Sequence, residues 1–283
     1  MISRMIRLLA FYLLPVFAMG CQFNQSFAPI SPRHFFGSEQ SRQGIVALEQ
    51  GNLAEAEKRL EDAVKWNRND SNNRRHYAEA LWLQGKHQEA LQQLDVAVQR
   101  GGQNSALLHI SLAEKRLELL EFKTAHEHAD EAVRLEPQNY RSWALRGRAK
   151  WMQATHQAGY AEHTLAVLHE ARNDYLRAVS LAPNDAELLT ELAVLQMSCG
   201  QPEQALATWL SVQNLYPQGG EPQEMLLGKM ETLTSLQRFD EAESTMLTMR
   251  RRRMSNPEAE RRLQETMTAA KEEVWRQEAE VRR

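Results

Sequence analysis

Two series of small or apolar positions run in step along the chain. Ala56, Ala90, Ala125, Ala171, Ala205 and Ala242 recur at intervals of 34, 35, 46, 34 and 37 residues. Seven residues further on, Ala63, Ala97, Ala132, Ala178, Val212 and Met249 repeat the same intervals. A separation of seven places both series on one helical face. Between them stands a residue that is usually large: Leu60, Leu94, Ala129, Tyr175, Trp209 and Met246. Three of the helices so predicted end alike, in "AVRLEPQNY" (132–140), "AVSLAPNDA" (178–186) and "VQNLYPQGG" (212–220). The proline of each stop cannot continue a helix and restricts the residue before it. The chain is therefore built from a repeated helical unit.

A helix–turn–helix period of 34 residues resembles the tetratricopeptide repeat. Numbered 1–34 within each unit, position 8 holds Gly44, Ala78, Ala113, Gly147 and Ala193. Position 15, the tight turn, holds Gly51, Gly85 and Gly200, and Pro137, Pro183 and Pro217 fall at position 32. Trp143 and Gly147 match the family's W-x-x-L-G, with Arg146 in place of the Leu. The resemblance implies an all-α, right-handed α-solenoid of about six units at 37–70, 71–104, 106–139, 140–185, 186–219 and 223–256. Small residues at 8, 20 and 27 let two antiparallel helices cross closely, and the bulk at 24 fills the space beside them. Each unit leaves an apolar face that only its neighbour closes. About twelve extra residues between Trp151 and Ala171 read as a longer loop and a lengthened second helix from near Thr164. After Pro257, Leu263, Met267, Ala270 and Val274 predict an amphipathic helix over 257–283 that caps the last repeat.

The first twenty residues stand outside this pattern. Arg4 and Arg7 precede an apolar run from Leu8 to Met19, which reads as a secretory signal over 1–20. "AMGC" at 18–21 resembles the lipobox of bacterial lipoproteins, which implies lipid on Cys21. Residues 21–36, with Pro29 and Pro32, read as a tether. Export across the inner membrane and attachment to a membrane, the outer one favoured by Gln22, follow from that resemblance. Cleavage before Cys21 would leave 32 Lys and Arg against 37 Asp and Glu, a net charge of −5. A mildly acidic chain carries no footprint for nucleic acid.

Composition adds little: 42% apolar and 25% charged, with only 13 Gly and 9 Pro, excludes wholesale disorder. Candidate chemistry is sparse. "HEARN" at 169–173 begins like a zinc-protease motif, but Asn173 stands where the second His belongs and Ala171 is already a repeat position. His126 and His128 point about 200° apart on one helix and do not chelate together. Cys199 is the one thiol besides Cys21. The sequence predicts no catalytic residue, cofactor or metal. Arg250 to Arg253 read as the solvated end of a helix, where cations suit the dipole.

The family resemblance implies a groove for partner segments lined by the outward arc of each first helix. Here that arc offers Arg75, Glu79, Trp82, Ile110, Glu114, Arg148, Trp151 and Val194. Trp and Arg are common interface anchors. The expected function is a non-catalytic scaffold, adaptor or assembly factor at a bacterial cell envelope, binding a protein or peptide. The rival is an enzyme, or an enzyme's accessory subunit, whose site is built by the insertion at 154–170.

Overall fold

The computed structural model describes residues 32–156, 161–217, 219–252 and 257–281. The predicted signal, Cys21, most of the tether, the tip of the insertion and Arg253 lie outside these. Among the described residues there are thirteen α-helices and no strand. They fall into two compact units, one reaching to Gln84 and the other beginning at Gly85, so the boundary cuts the second predicted repeat in two.

The first unit holds α1 (Pro32–Glu49), α2 (Leu53–Trp66) and α3 (Ser71–Leu83). Helix α1 corrects the expected tether, because residues 32–36 already belong to it. Proline is well suited to a helix's first turn, where its missing N–H has no partner to lose. Gly44 lets α1 press on α2: a Cβ there would lie 2.5 Å from Leu60 Cγ. Asp70 opens α3, its carboxylate accepting from the N–H groups of Asn72 and Asn73 at 3.0 and 3.1 Å.

The second unit continues with α4 (His87–Ala97), α5 (Ala106–Glu118), α6 (Phe122–Leu135), α7 (Tyr140–His156) and α8 (Ala161–Leu181). Helices α9 (Ala186–Ser198), α10 (Pro202–Asn214), α11 (Gln223–Ser235), α12 (Phe239–Arg251) and α13 (Pro257–Val281) complete it. The all-α solenoid architecture is as predicted, helix hairpin stacked on helix hairpin. The interval of 35 has a local cause: a kinked turn at Val98–Gly102, where Arg100 leaves helical geometry and Gly101 takes a φ of 120°, takes up the additional residue. The insertion lengthens both helices of its hairpin. Helix α7 runs four residues beyond the thirteen of α5, and α8 starts at Ala161, earlier than the Thr164 expected. On α13, Met267 is buried in one cluster with Met230, Leu233, Ala242 and Met246.

Three of the inter-repeat turns share a bond that the stops alone do not reveal. Trp143 Nε1 donates to the Pro137 carbonyl at 2.9 Å. Arg74 donates to the Arg68 carbonyl at 3.0 and 3.2 Å, and His109 Nε2 lies 3.3 Å from the Gln103 carbonyl. All three side chains occupy position 4 of their repeat and reach back six residues.

Candidate functional site

A groove crosses the first helices of three successive repeats, α5, α7 and α9, all within the second unit. Local sequence sets the start of each helix. Ser105 accepts from the Leu108 N–H at 3.4 Å, the Asn139 amide oxygen from the Arg141 N–H at 3.1 Å, and Asp185 from the Leu188 N–H at 3.0 Å. These caps satisfy N–H groups that the helix itself leaves open. Asp185 thus carries its charge at the rim of the groove.

Between the rims the lining is mostly charged. Arg141 Nη2 bonds Glu114 Oε1 at 2.7 Å across two repeats. Arg148 bonds Glu191 and lies 3.7 Å from Glu187, whose side chain is 82% exposed. Tyr175, buried on α8, donates its hydroxyl to Glu191 Oε2 at 3.0 Å and so ties the groove floor to the core. Burial pushes the Tyr175 hydroxyl far above its ordinary value, with the Glu191 carboxylate adding to the shift. Burial also raises Glu191, against the opposing pull of Arg148. Four carboxylates, Glu114, Asp185, Glu187 and Glu191, face two guanidiniums that are already engaged. The groove therefore has an acidic balance.

The predicted site residues divide. Glu114 and Arg148 line the groove. Val194 is exposed at 39% but stands apart from the lining. Trp151 is half-buried with its ring edge-on to Tyr175 at 6.5 Å, a packing role. Ile110 and Trp82 correct the prediction: only 2% and 6% of them are exposed, so neither presents a free face. A helical wheel treats each helix alone, whereas a first helix in a stack is flanked on two sides and its free arc is narrower. Arg75, Glu79 and Trp82 stand on α3 in the first unit. Arg75 is half-buried, Nη2 lies 3.0 Å from His76 Nε2, and its buried Nε has no hydrogen-bond partner among the described residues. Burial lowers its affinity for a proton, with Glu79 opposing. It is not the freely solvated cation expected.

Sequence reasoning missed Glu191 and Tyr140. The signal for Glu191 was its place four residues after Glu187, on the same helical face. The replacement of Leu by Arg146 also finds its reason. Arg146 bonds the buried Asp174 at 2.7 and 3.1 Å and Asp130 at 2.6 Å, and its guanidinium lies 4.6 Å from the Trp143 ring centroid. Lys150 reaches the same Asp174 at 3.0 Å. Of the described insertion residues, Glu170 pairs with Lys150 at 3.3 Å and His156 bonds the Met152 carbonyl at 3.0 Å. Among the described residues, no three His, Cys, Asp or Glu side chains group as metal ligands.

Comparison with known proteins bears on the repeat directly. Models of the tetratricopeptide repeat match residues 41–105 and 174–207. Those two stretches carry tetratricopeptide repeats. Solved structures of the same fold include PilF of Pseudomonas aeruginosa, at 16% identity and a TM-score of 0.66 over 82% of this chain and 99% of that one. Another is PilW, a widely conserved type IV pilus biogenesis factor, at 15% identity and a TM-score of 0.67 over 80% and 98%. MamA of Desulfovibrio magneticus RS-1 follows at 18% identity and 0.54 over 63% and 94%. At these identities the likeness concerns the fold. No curated protein matches the chain in sequence. Among the described residues, no helix is long and apolar enough to cross a membrane.

Proposed function

We propose that this tetratricopeptide-repeat protein is a non-catalytic assembly scaffold of the bacterial cell envelope that holds a partner segment in the groove of α5, α7 and α9. The observation that carries the reading is the groove itself, where three consecutive first helices converge charged side chains on one strip of surface. The acidic balance favours a segment bearing Lys or Arg. An acidic or C-terminal carboxylate partner would meet two guanidiniums already neutralised by Glu114 and Glu191. Lipid on Cys21, set in "AMGC", would hold the scaffold at a membrane, as suits an assembly factor comparable to the pilus biogenesis factor PilW.

The test is a photo-crosslinking residue placed at exposed Arg141, with the same residue at exposed Leu247 on α12 as control. The expected product from Arg141 is a segment carrying Lys or Arg, formed less in Glu187→Lys and at high salt. A product from Leu247 alone, or an acidic segment from Arg141, overturns the reading.

A further inference from the structure

Helix α1 begins one turn before the first repeat does, and that extra turn serves no repeat position. It carries Phe35 and Phe36, which are 59% and 48% exposed. Trp66, the last residue of α2, stands beside them and is 46% exposed. Successive ring centroids lie 5.8 Å apart from Phe35 to Phe36 and 5.7 Å apart from Phe36 to Trp66. Gly37 permits this meeting, since a Cβ there would already lie 3.3 Å from Trp66 Cβ. Three large adjoining rings, each about half open, form an apolar patch of the kind that marks a contact surface.

The position of the patch along the chain identifies what covers it. Ten residues, 22–31, separate Cys21 from the start of α1. Fully extended they span at most about 35 Å, and as a flexible chain roughly 18 Å. Whatever holds Cys21 therefore holds the patch close by. The charges next to the rings nearly cancel: Lys65 pairs with Glu61 at 2.8 Å and lies 3.6 Å from Asp62, and Arg68 shares the surface beside Trp66. Aromatic rings in near-neutral surroundings favour the headgroup level of a bilayer, where an amphipathic ring finds both apolar and polar contact.

We propose that Phe35, Phe36 and Trp66 form a membrane-interface contact that seats the first unit on the lipid surface beside its anchor. The proposal rests on the reading of Cys21 as a lipid-bearing residue, and each has its own readout. The full chain is reconstituted in phosphatidylcholine vesicles with brominated acyl chains, and Trp emission is compared with that in unbrominated vesicles. Bromine should remove up to about one sixth of the emission, the share of one Trp among six. That loss should vanish in Trp66→Phe and shrink in Phe35→Ser with Phe36→Ser, both retaining the helical circular dichroism of the wild type. Equal quenching of wild type and Trp66→Phe overturns the proposal. So does shielding of Trp66 from iodide without vesicles, because either a second copy, if the shielding grows with concentration, or residues 22–31 would then cover the patch. The mass of the peptide containing residue 21 reports the anchor separately. Acyl chains without Trp66 quenching sink the patch alone, and quenching without acyl chains sinks the anchor alone.

Discussion

Leu120 and Gln237 sit at the tight turn of their repeats with φ of 60° and 58°, where Gly51, Gly85 and Gly200 occupy the same left-handed region without a Cβ. A non-glycine residue there costs roughly 1–2 kcal/mol, part of which glycine gives back in unfolded-chain entropy. Leu120→Gly is therefore expected to raise stability by about 0.5–1 kcal/mol, read from the urea midpoint; a lower midpoint would show that the half-exposed Leu side chain matters more. His128 offers a second test. Its Nδ1 lies 3.2 Å from His109 Nδ1, and His109 Nε2 faces the Gln103 carbonyl, which can only accept. His109 then carries its proton on Nε2 and accepts from His128 Nδ1–H. Burial, helped by His109 and Arg116 and opposed by Asp95 and Glu127, lowers the His128 pKa. Burial, with Lys150, also lowers that of His126. As pH drops below about 6.5 the unfolded chain takes up protons that the folded one refuses, so stability falls. The melting temperature should decline from pH 7.5 to pH 5.5, and less so in His128→Asn, which keeps a donor near the same place. An unchanged slope in that variant would assign the decline elsewhere.

At the scale of helices, the hairpin of α7 and α8 is held by the ionic cluster around Asp174. Arg146→Leu restores the usual family residue but leaves a buried carboxylate with Lys150 as its remaining cation. Breaking a buried pair costs about 3 kcal/mol. The double variant with Asp174→Ala is expected to recover part of that loss in urea unfolding, and a double variant as weak as the sum of the two singles would refute the coupling. This cluster also shows where the sequence stopped being readable. The repeat was legible because close helix crossings demand Gly or Ala at fixed places, and spacing alone exposes that demand. Arg146 and Asp174 are 28 residues apart with no periodic relation, so their partnership was invisible. The kinked turn at Val98–Gly102 showed only as an interval of 35. Pro32 suggested a loop, yet it is the first residue of a helix. Most of the groove was misread for a related reason: of the eight residues expected, Glu114 and Arg148 face it, whereas Ile110 is taken up in the core beside Leu145 and Ala149.

At the scale of the molecule, the second unit must finish its stack, and α13 does so. Removing residues 257–283 would expose Met230, Leu233 and Met246, which Met267 now covers. Losing the burial of one such side chain costs about 1.5–3 kcal/mol, so the truncated chain should melt at lower temperature and bind a hydrophobic dye such as ANS. A truncation with unchanged melting and no dye binding would show that α13 is dispensable. The back-reaching bond at position 4 bears on how such an array can grow or shrink. The donor belongs to the later repeat and the acceptor is a main-chain carbonyl of the earlier one, present whatever the residue. A gene segment duplicated in this register would carry its own fastener and need nothing special from the copy before it. Arg74, His109 and Trp143 are three versions of that fastener, alike in reach and in the proton they offer though not in kind, whereas Leu189 and Leu226 at the same position contribute packing alone to the last two seams.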